Sequence, residues 1–207
     1  MWPLEKNQCK ELSFDGNLTT TLRSNVGSSE KFQVRILRPG EFEIIRDSMD
    51  PVTRRISTSI LLTGMRYAEL QRFRENPDWL DVKFIYLPRG SMLKVKAKQK
   101  ERTIRLSDIG KTLLPDLSQV PHPLPELPAL DMKLRRLSKR ILEGAPINNK
   151  SFRKTWESWL VFYYPDESPQ IALSQGHTTT TQYEHYLNIP FEKNDRKEMR
   201  RWVEGWI

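Results

Sequence analysis

Thr63-Gly64-Met65-Arg66-Tyr67-Ala68-Glu69-Leu70 is a junction between two helices, with charge placed at the turn. Upstream, Val52 to Leu62 reads as a helix that Gly64 stops. Downstream, Tyr67 to Glu75 reads as helical again, with Leu70 and Phe73 at i, i+3. Arg66 either caps a helix, pairs with an acid, or serves a site. Glu69 reads as structural, orienting an arginine or a helix. Further upstream, an expected helix from Glu41 to Met49 follows Phe32-Gln33-Val34-Arg35-Ile36-Leu37 and the punctuation of Pro39-Gly40.

Val82 to Leu87 is β-branched and aromatic and reads as a strand, with Arg102 to Leu106 as its partner. A long basic turn joins them. Pro121, Pro123, Pro125 and Pro128 form a connector that is not helical inside. Then comes a basic helix with Leu134, Leu137 and Ile141 on one face. Trp156, Trp159, Leu160 and Tyr163 follow at i, i+3, i+4, i+7. Ser168-Pro169 reads as an N-cap and N1 pair, and Gly176 as the residue that closes the same short helix. Another helix is expected over Thr180 to Leu187, ended by Asn188-Ile189-Pro190. Asp195 with Glu198 reads as a capping box before an apolar stripe of Met199, Trp202, Val203 and Trp206.

The 207 residues suit one domain with an arm. Six Trp, eight Phe and six Tyr argue against general disorder. No apolar run reaches the roughly 18 residues of a membrane span, and the N-terminus has no signal-peptide core. Cys9 is the lone cysteine, which excludes an internal disulfide framework and fits a reducing interior. The net charge of +8 is concentrated. Arg89 to Arg105 holds seven basic residues and one acid, and Met132 to Glu143 holds five and one. Those stretches carry more than the whole surplus, which favours a polyanion-binding surface over a merely solvated one.

Three segments stand out together: Thr63 to Leu70; Lys150-Ser151-Phe152-Arg153-Lys154-Thr155-Trp156; and Gly176-His177 with Tyr186 nine residues after the histidine. In order and spacing they resemble the boxes of the tyrosine recombinase (phage integrase) family, over about residues 35–207. Lys150 stands where that family usually has histidine. Ser174-Gln175 replaces a leucine before Gly176-His177, a departure expected to affect packing only. The Lys-x-x-Arg form, Asn188-Ile189-Pro190-Phe191 and the tryptophan-bearing tail look more like integrases of archaeal viruses and plasmids. The resemblance implies an α+β, mainly helical catalytic domain with a small antiparallel three-stranded sheet. It implies an N-terminal arm at 1–33, the catalytic domain at 34–191, and a C-terminal helix at 192–207, packed in cis or exchanged between protomers.

The chemistry it implies is metal- and ATP-independent. Tyr186 attacks a scissile phosphate and holds the strand as a 3′-phosphotyrosine, so the bond energy is kept. Tyr183, three residues earlier, is the decoy on the same helical face. Arg66 and Arg153 clamp the non-bridging oxygens, because guanidinium offers phosphate a planar fork. His177 adds a hydrogen bond. A hairpin lysine protonates the leaving 5′-oxygen: Lys98 is the first choice and Lys96 the alternative. Lys150 binds phosphate or stabilises the developing phenolate. Lys94, Lys96, Lys100, Arg102, Arg135, Arg136, Lys139 and Lys154 are the expected DNA contacts.

No cofactor or metal is called for. The expected partners are duplex DNA attachment sites and further copies of the chain, up to a tetramer on DNA, in the cytoplasm of a prokaryotic host. Family members usually clamp DNA with an additional N-terminal helical domain. Residues 1–33 cannot form one, so the chain is either part of a longer protein or a short form with one lobe. The rival readings are a strand relaxase of the type IB topoisomerase kind and a catalytically silent DNA-binding protein.

Overall fold

Asp50 and Pro51 start the central helix. Asp50 accepts a hydrogen bond from the Thr53 amide at 3.2 Å, and Pro51 fills the first helical position, where its missing N–H costs nothing. This computed structural model describes residues 34–89, 101–176 and 191–207. The expected arm, the tip of the basic turn and the helix expected over Thr180 to Leu187 lie outside the described residues.

The described helices, in chain order, are α1 (Pro39–Asp47), α2 (Pro51–Thr63), α3 (Tyr67–Glu75), α4 (Asp108–Leu113), α5 (Leu127–Ile141), α6 (Asn149–Tyr163), α7 (Ser168–Gln175) and α8 (Lys193–Val203). Strands β1 (Phe84–Leu87) and β2 (Arg102–Arg105) pair antiparallel between α3 and α4, with Phe84 opposite Arg105 and Leu87 opposite Arg102. Three strands were expected; among the described residues the sheet has two. Leu80 adds only an isolated bridge to Ile85.

The core is organised around α2 and α6, which pack along each other. Every residue of α2 from Ile56 to Thr63 is buried. Of the stripe expected on α6, Trp156, Trp159 and Leu160 are fully buried, as is Phe152, while Tyr163 is only partly buried. The segment entering α1 is tied to α6 by two buried bonds. The Leu37 amide donates to Thr155 Oγ1 at 2.9 Å, and Trp159 Nε1 donates to the Leu37 carbonyl at 2.9 Å.

Helix α8 covers the core. Met199, Trp202, Val203 and Trp206 are buried. The Phe42 ring meets Trp159 and Trp202 edge-on, with centroids 5.9 and 5.2 Å away. Tyr164 Oη donates to the Val203 carbonyl at 3.0 Å, and the Asp108 amide donates to the Glu204 carbonyl at 2.9 Å.

Several boundaries differ from the sequence reading. The capping box of α8 is one turn earlier: the Glu192 amide donates to Asp195 Oδ2 at 2.7 Å, while Glu198 accepts from Asn194 instead. Ser168 is the first residue of α7 rather than its cap, because a 3-10 turn over Pro165–Glu167 delivers the chain already wound. Pro128 lies in the first turn of α5, where proline is tolerated. No described helix is long and apolar enough to cross a membrane.

Replacing Trp202 with alanine removes the ring that covers Phe42 and Trp159. It is expected to cost about 3–5 kcal/mol, read as a lower urea midpoint with an unchanged m-value.

Candidate active site

Two glycines bring two helix ends together. Gly64 ends α2 in the left-handed region, φ 61°, and Gly176 ends α7 in the same way, φ 67°. A Cβ on Gly64 would lie 2.0 Å from Gln175 Oε1, so a larger residue would have to push the Gln175 amide aside as well as hold a left-handed backbone. The last carbonyls of a helix have no intrahelical donor and carry its negative pole. Arg153, on the second turn of α6, fills that need. Its Nη1 donates to the Gly64 carbonyl and its Nη2 to the Gln175 carbonyl.

Beside this junction Glu69, fully buried, serves several cations. Its Oε2 accepts from the Arg66 amide at 2.7 Å, which caps α3. Oε1 accepts from Arg66 Nη1 at 2.9 Å. Oε2 also accepts from Arg102 Nη2 at 2.7 Å and lies 4.0 Å from Arg153 Nη1. Glu157, also fully buried, lies one turn beyond Arg153 on α6 and acts electrostatically on both Arg102 and Arg153. Among the described residues three guanidiniums thus meet two carboxylates, a surplus of one positive charge.

Burial alone would raise the Glu69 pKa. Arg102, the Arg66 amide, Arg66 and Arg153 outweigh burial and hold it below the usual glutamate range. For Arg153, burial and then the charges of Arg102 and Arg66 pull the pKa down to about 9. That is above neutrality, so its fork remains cationic at pH 7.

The structure brings Arg66 and Arg153 together through Glu69. Arg66 keeps 37% of its side chain exposed and Arg153 keeps 11%. Lys150 is exposed on the first turn of α6. Lys154 is half-buried; burial lowers its pKa and Glu157 opposes that. Arg135, Arg136 and Lys139 line the exposed side of α5. His177, Tyr186, Lys94, Lys96, Lys98 and Lys100 lie outside the described residues.

Arg102 is a correction. It was expected to touch DNA from the surface, yet its side chain is only 6% exposed and is spent on Glu69. The signal was present in the strand period: residues 102 and 104 share a face, and Ile104 is core.

The same arrangement of elements occurs in known structures. XerA recombinase superposes with a TM-score of 0.57 at 16% identity, over 81% of this chain and 64% of that one. The Tn1549 transposon integrase in complex with transposon right end DNA gives 0.56 at 18% identity, over 81% and 65%. XerH site-specific recombinase bound to difH substrate gives 0.54 at 18% identity, over 86% and 57%. The fold is that of the tyrosine recombinase catalytic domain. The chain spans less than two thirds of the length of each of these recombinases. No family model matches its sequence, and no curated protein does.

Glu69→Gln breaks a buried ionic cluster and is expected to destabilise the fold by about 3–5 kcal/mol at pH 7. The folded pKa of Glu69 is depressed. Its contribution is therefore complete above the unfolded value of about 4.3 and is lost as pH falls through the folded value. Urea unfolding of both proteins between pH 3 and 8 checks this. The gap should be constant above about pH 5 and should narrow below about pH 4.

Proposed function

We propose that this chain is a site-specific DNA recombinase that cuts and rejoins DNA through a 3′-phosphotyrosyl intermediate. The observation that carries the reading is the convergence of Arg66 and Arg153, from different helices, on one buried carboxylate, with Arg153 also bonded to Gln175, two residues before His177. The shared fold supports it, as do the three ordered sequence boxes.

In this reading the scissile phosphodiester sits over Arg66 and Arg153. The Tyr186 hydroxyl gives its proton to solvent water, its oxygen bonds to phosphorus, and the bond to the 5′-oxygen breaks. That oxygen takes its proton from Lys98, with Lys96 as the alternative donor. The phosphorane carries one more negative charge than the diester. Fixed guanidiniums with a surplus positive charge therefore favour it over the ground state. His177 hydrogen-bonds the same oxygens. Lys150, exposed at the start of α6, binds phosphate or the developing phenolate; unchanged cleavage by Lys150→Ala would dismiss that role. Religation runs the same steps backwards.

Lys94, Lys96, Lys100, Arg135, Arg136, Lys139 and Lys154 supply phosphate contacts. The element served is a mobile one, of the kind carried by archaeal viruses or plasmids. The working assembly is a set of up to four copies on duplex attachment sites, inside a prokaryotic cell. The C-terminal helix then acts either in cis or by exchange between copies.

A nicked suicide duplex carrying the attachment sequence tests this. Wild-type protein should form a covalent adduct on a denaturing gel, and Tyr186→Phe none. Arg153→Ala should slow adduct formation by about 10²–10³-fold. Adduct formation by Tyr186→Phe at the wild-type rate would remove the assignment.

The DNA surface has its own test. Alanine at Arg135, Arg136 and Lys139 together should lower the slope of log K against log salt by up to about 2.7. Binding titrations at several salt concentrations read it.

A further inference from the structure

We propose that Arg102 is a positioning residue for strand cleavage, which locks the Glu69 carboxylate so that Arg66 and Arg153 are presented to the phosphate in fixed orientation. This inference rests on the recombinase reading above and adds a third arginine to it.

The argument starts from the strand. Leu87 pairs with Arg102, and alternation along β2 turns Arg102 and Ile104 inward while Thr103 faces out. An inward arginine must find a carboxylate, and Arg102 finds Glu69. It is held there from behind: a Cβ on Gly176 would lie 2.6 Å from Arg102 Nη1 and 3.2 Å from Cδ. The side chain thus wedges between the end of α7 and the start of α3.

Glu69 has two oxygens and three cationic neighbours. Arg102 takes Oε2 at 2.7 Å together with the Arg66 amide, so Oε1 is left to the Arg66 fork. Without Arg102, that carboxylate loses one of the two donors that fix Oε2, and it also loses the first of the charges that keep it ionised. Arg102 itself is too buried to bond a phosphate on a DNA surface. Among the described residues its buried Nε has no partner, a cost of about 1–3 kcal/mol that a residue kept for packing alone would not need to bear.

The experiment compares wild-type, Arg102→Met, Arg102→Lys, Glu69→Gln and the Glu69→Gln/Arg102→Met double variant. Each is assayed for single-turnover adduct formation on the suicide duplex, for DNA Kd and its salt slope, and for the pH profile of cleavage. Arg102→Met should slow adduct formation at saturating DNA by about 30-fold or more, a loss of fixed transition-state charge. Kd should stay within about twofold and the salt slope should not change, unlike the loss of a phosphate contact. The acidic limb of its rate profile should move up by about one pH unit, since Glu69 then protonates more readily.

The double variant should be no slower than the slower single variant by more than about threefold, because both act through one carboxylate. Arg102→Lys keeps the charge and loses the fork. It should be slowed with the acidic limb in place, which serves where Arg102→Met does not fold by circular dichroism. Cleavage by Arg102→Met within threefold of wild-type overturns the inference. So does a weaker Kd with a salt slope reduced by about 0.9, or multiplicative losses in the double variant. Absence of an adduct from wild-type protein overturns the recombinase reading and this inference with it. An adduct from wild-type protein with Arg102→Met unaffected overturns this inference alone.

Discussion

One buried carboxylate sets the order of this molecule. Glu69 is where the start of α3, the start of β2 and the second turn of α6 meet, each bringing an arginine. A charge in that position would be prohibitive alone, and three guanidiniums there would repel one another. Together with Glu157 they satisfy each other and, among the described residues, leave one positive charge over. The rest of the fold can be read as what is required to hold those elements at that point: a long buried pair in α2 and α6, two left-handed glycines that end α2 and α7 in the same place, and a two-stranded sheet whose alternation turns one arginine inward.

The glycines and Arg153 solve one problem between them. Ending two helices side by side leaves carbonyl groups facing each other at two negative poles. A cation with a forked donor is the simplest group that bonds both, and Arg153 does so. A lysine could place the charge but not the two parallel donors. The arginine read as a phosphate clamp is therefore also a structural fastener. Its guanidinium is oriented before any DNA arrives, which lowers the reorganisation needed during a reaction.

Much of this was legible in the sequence. Gly64, Gly176 and the apolar spacing of α6 declared two helix ends and one buried face, because each depends on local backbone geometry. The union of Arg66 with Arg153 was legible only through the ordered motifs, since nothing local links α3 to α6. The destination of Arg102 was encoded in strand alternation but hidden by its neighbours. In a run of lysines and arginines, one more cation looks like surface. The α8 stripe showed a buried face without saying what covers it, because periodicity names a face and never its partner. Phe42 and Trp159 supply that partner from other parts of the chain. Helix α4 and the 3-10 turn over Leu114–Gln119 went unread, being too short to build a period.

The aromatic closure of the core by Trp202 has a consequence for how the protein is made. Phe42 and Trp159 leave the ribosome well before Trp202, so the nascent chain carries an uncovered aromatic face while the remaining residues are translated. Helix α8, which comes after both of them in the chain, is the one that hides it. Covering that face is therefore a long-range event, joining residues more than 40 positions apart in the chain.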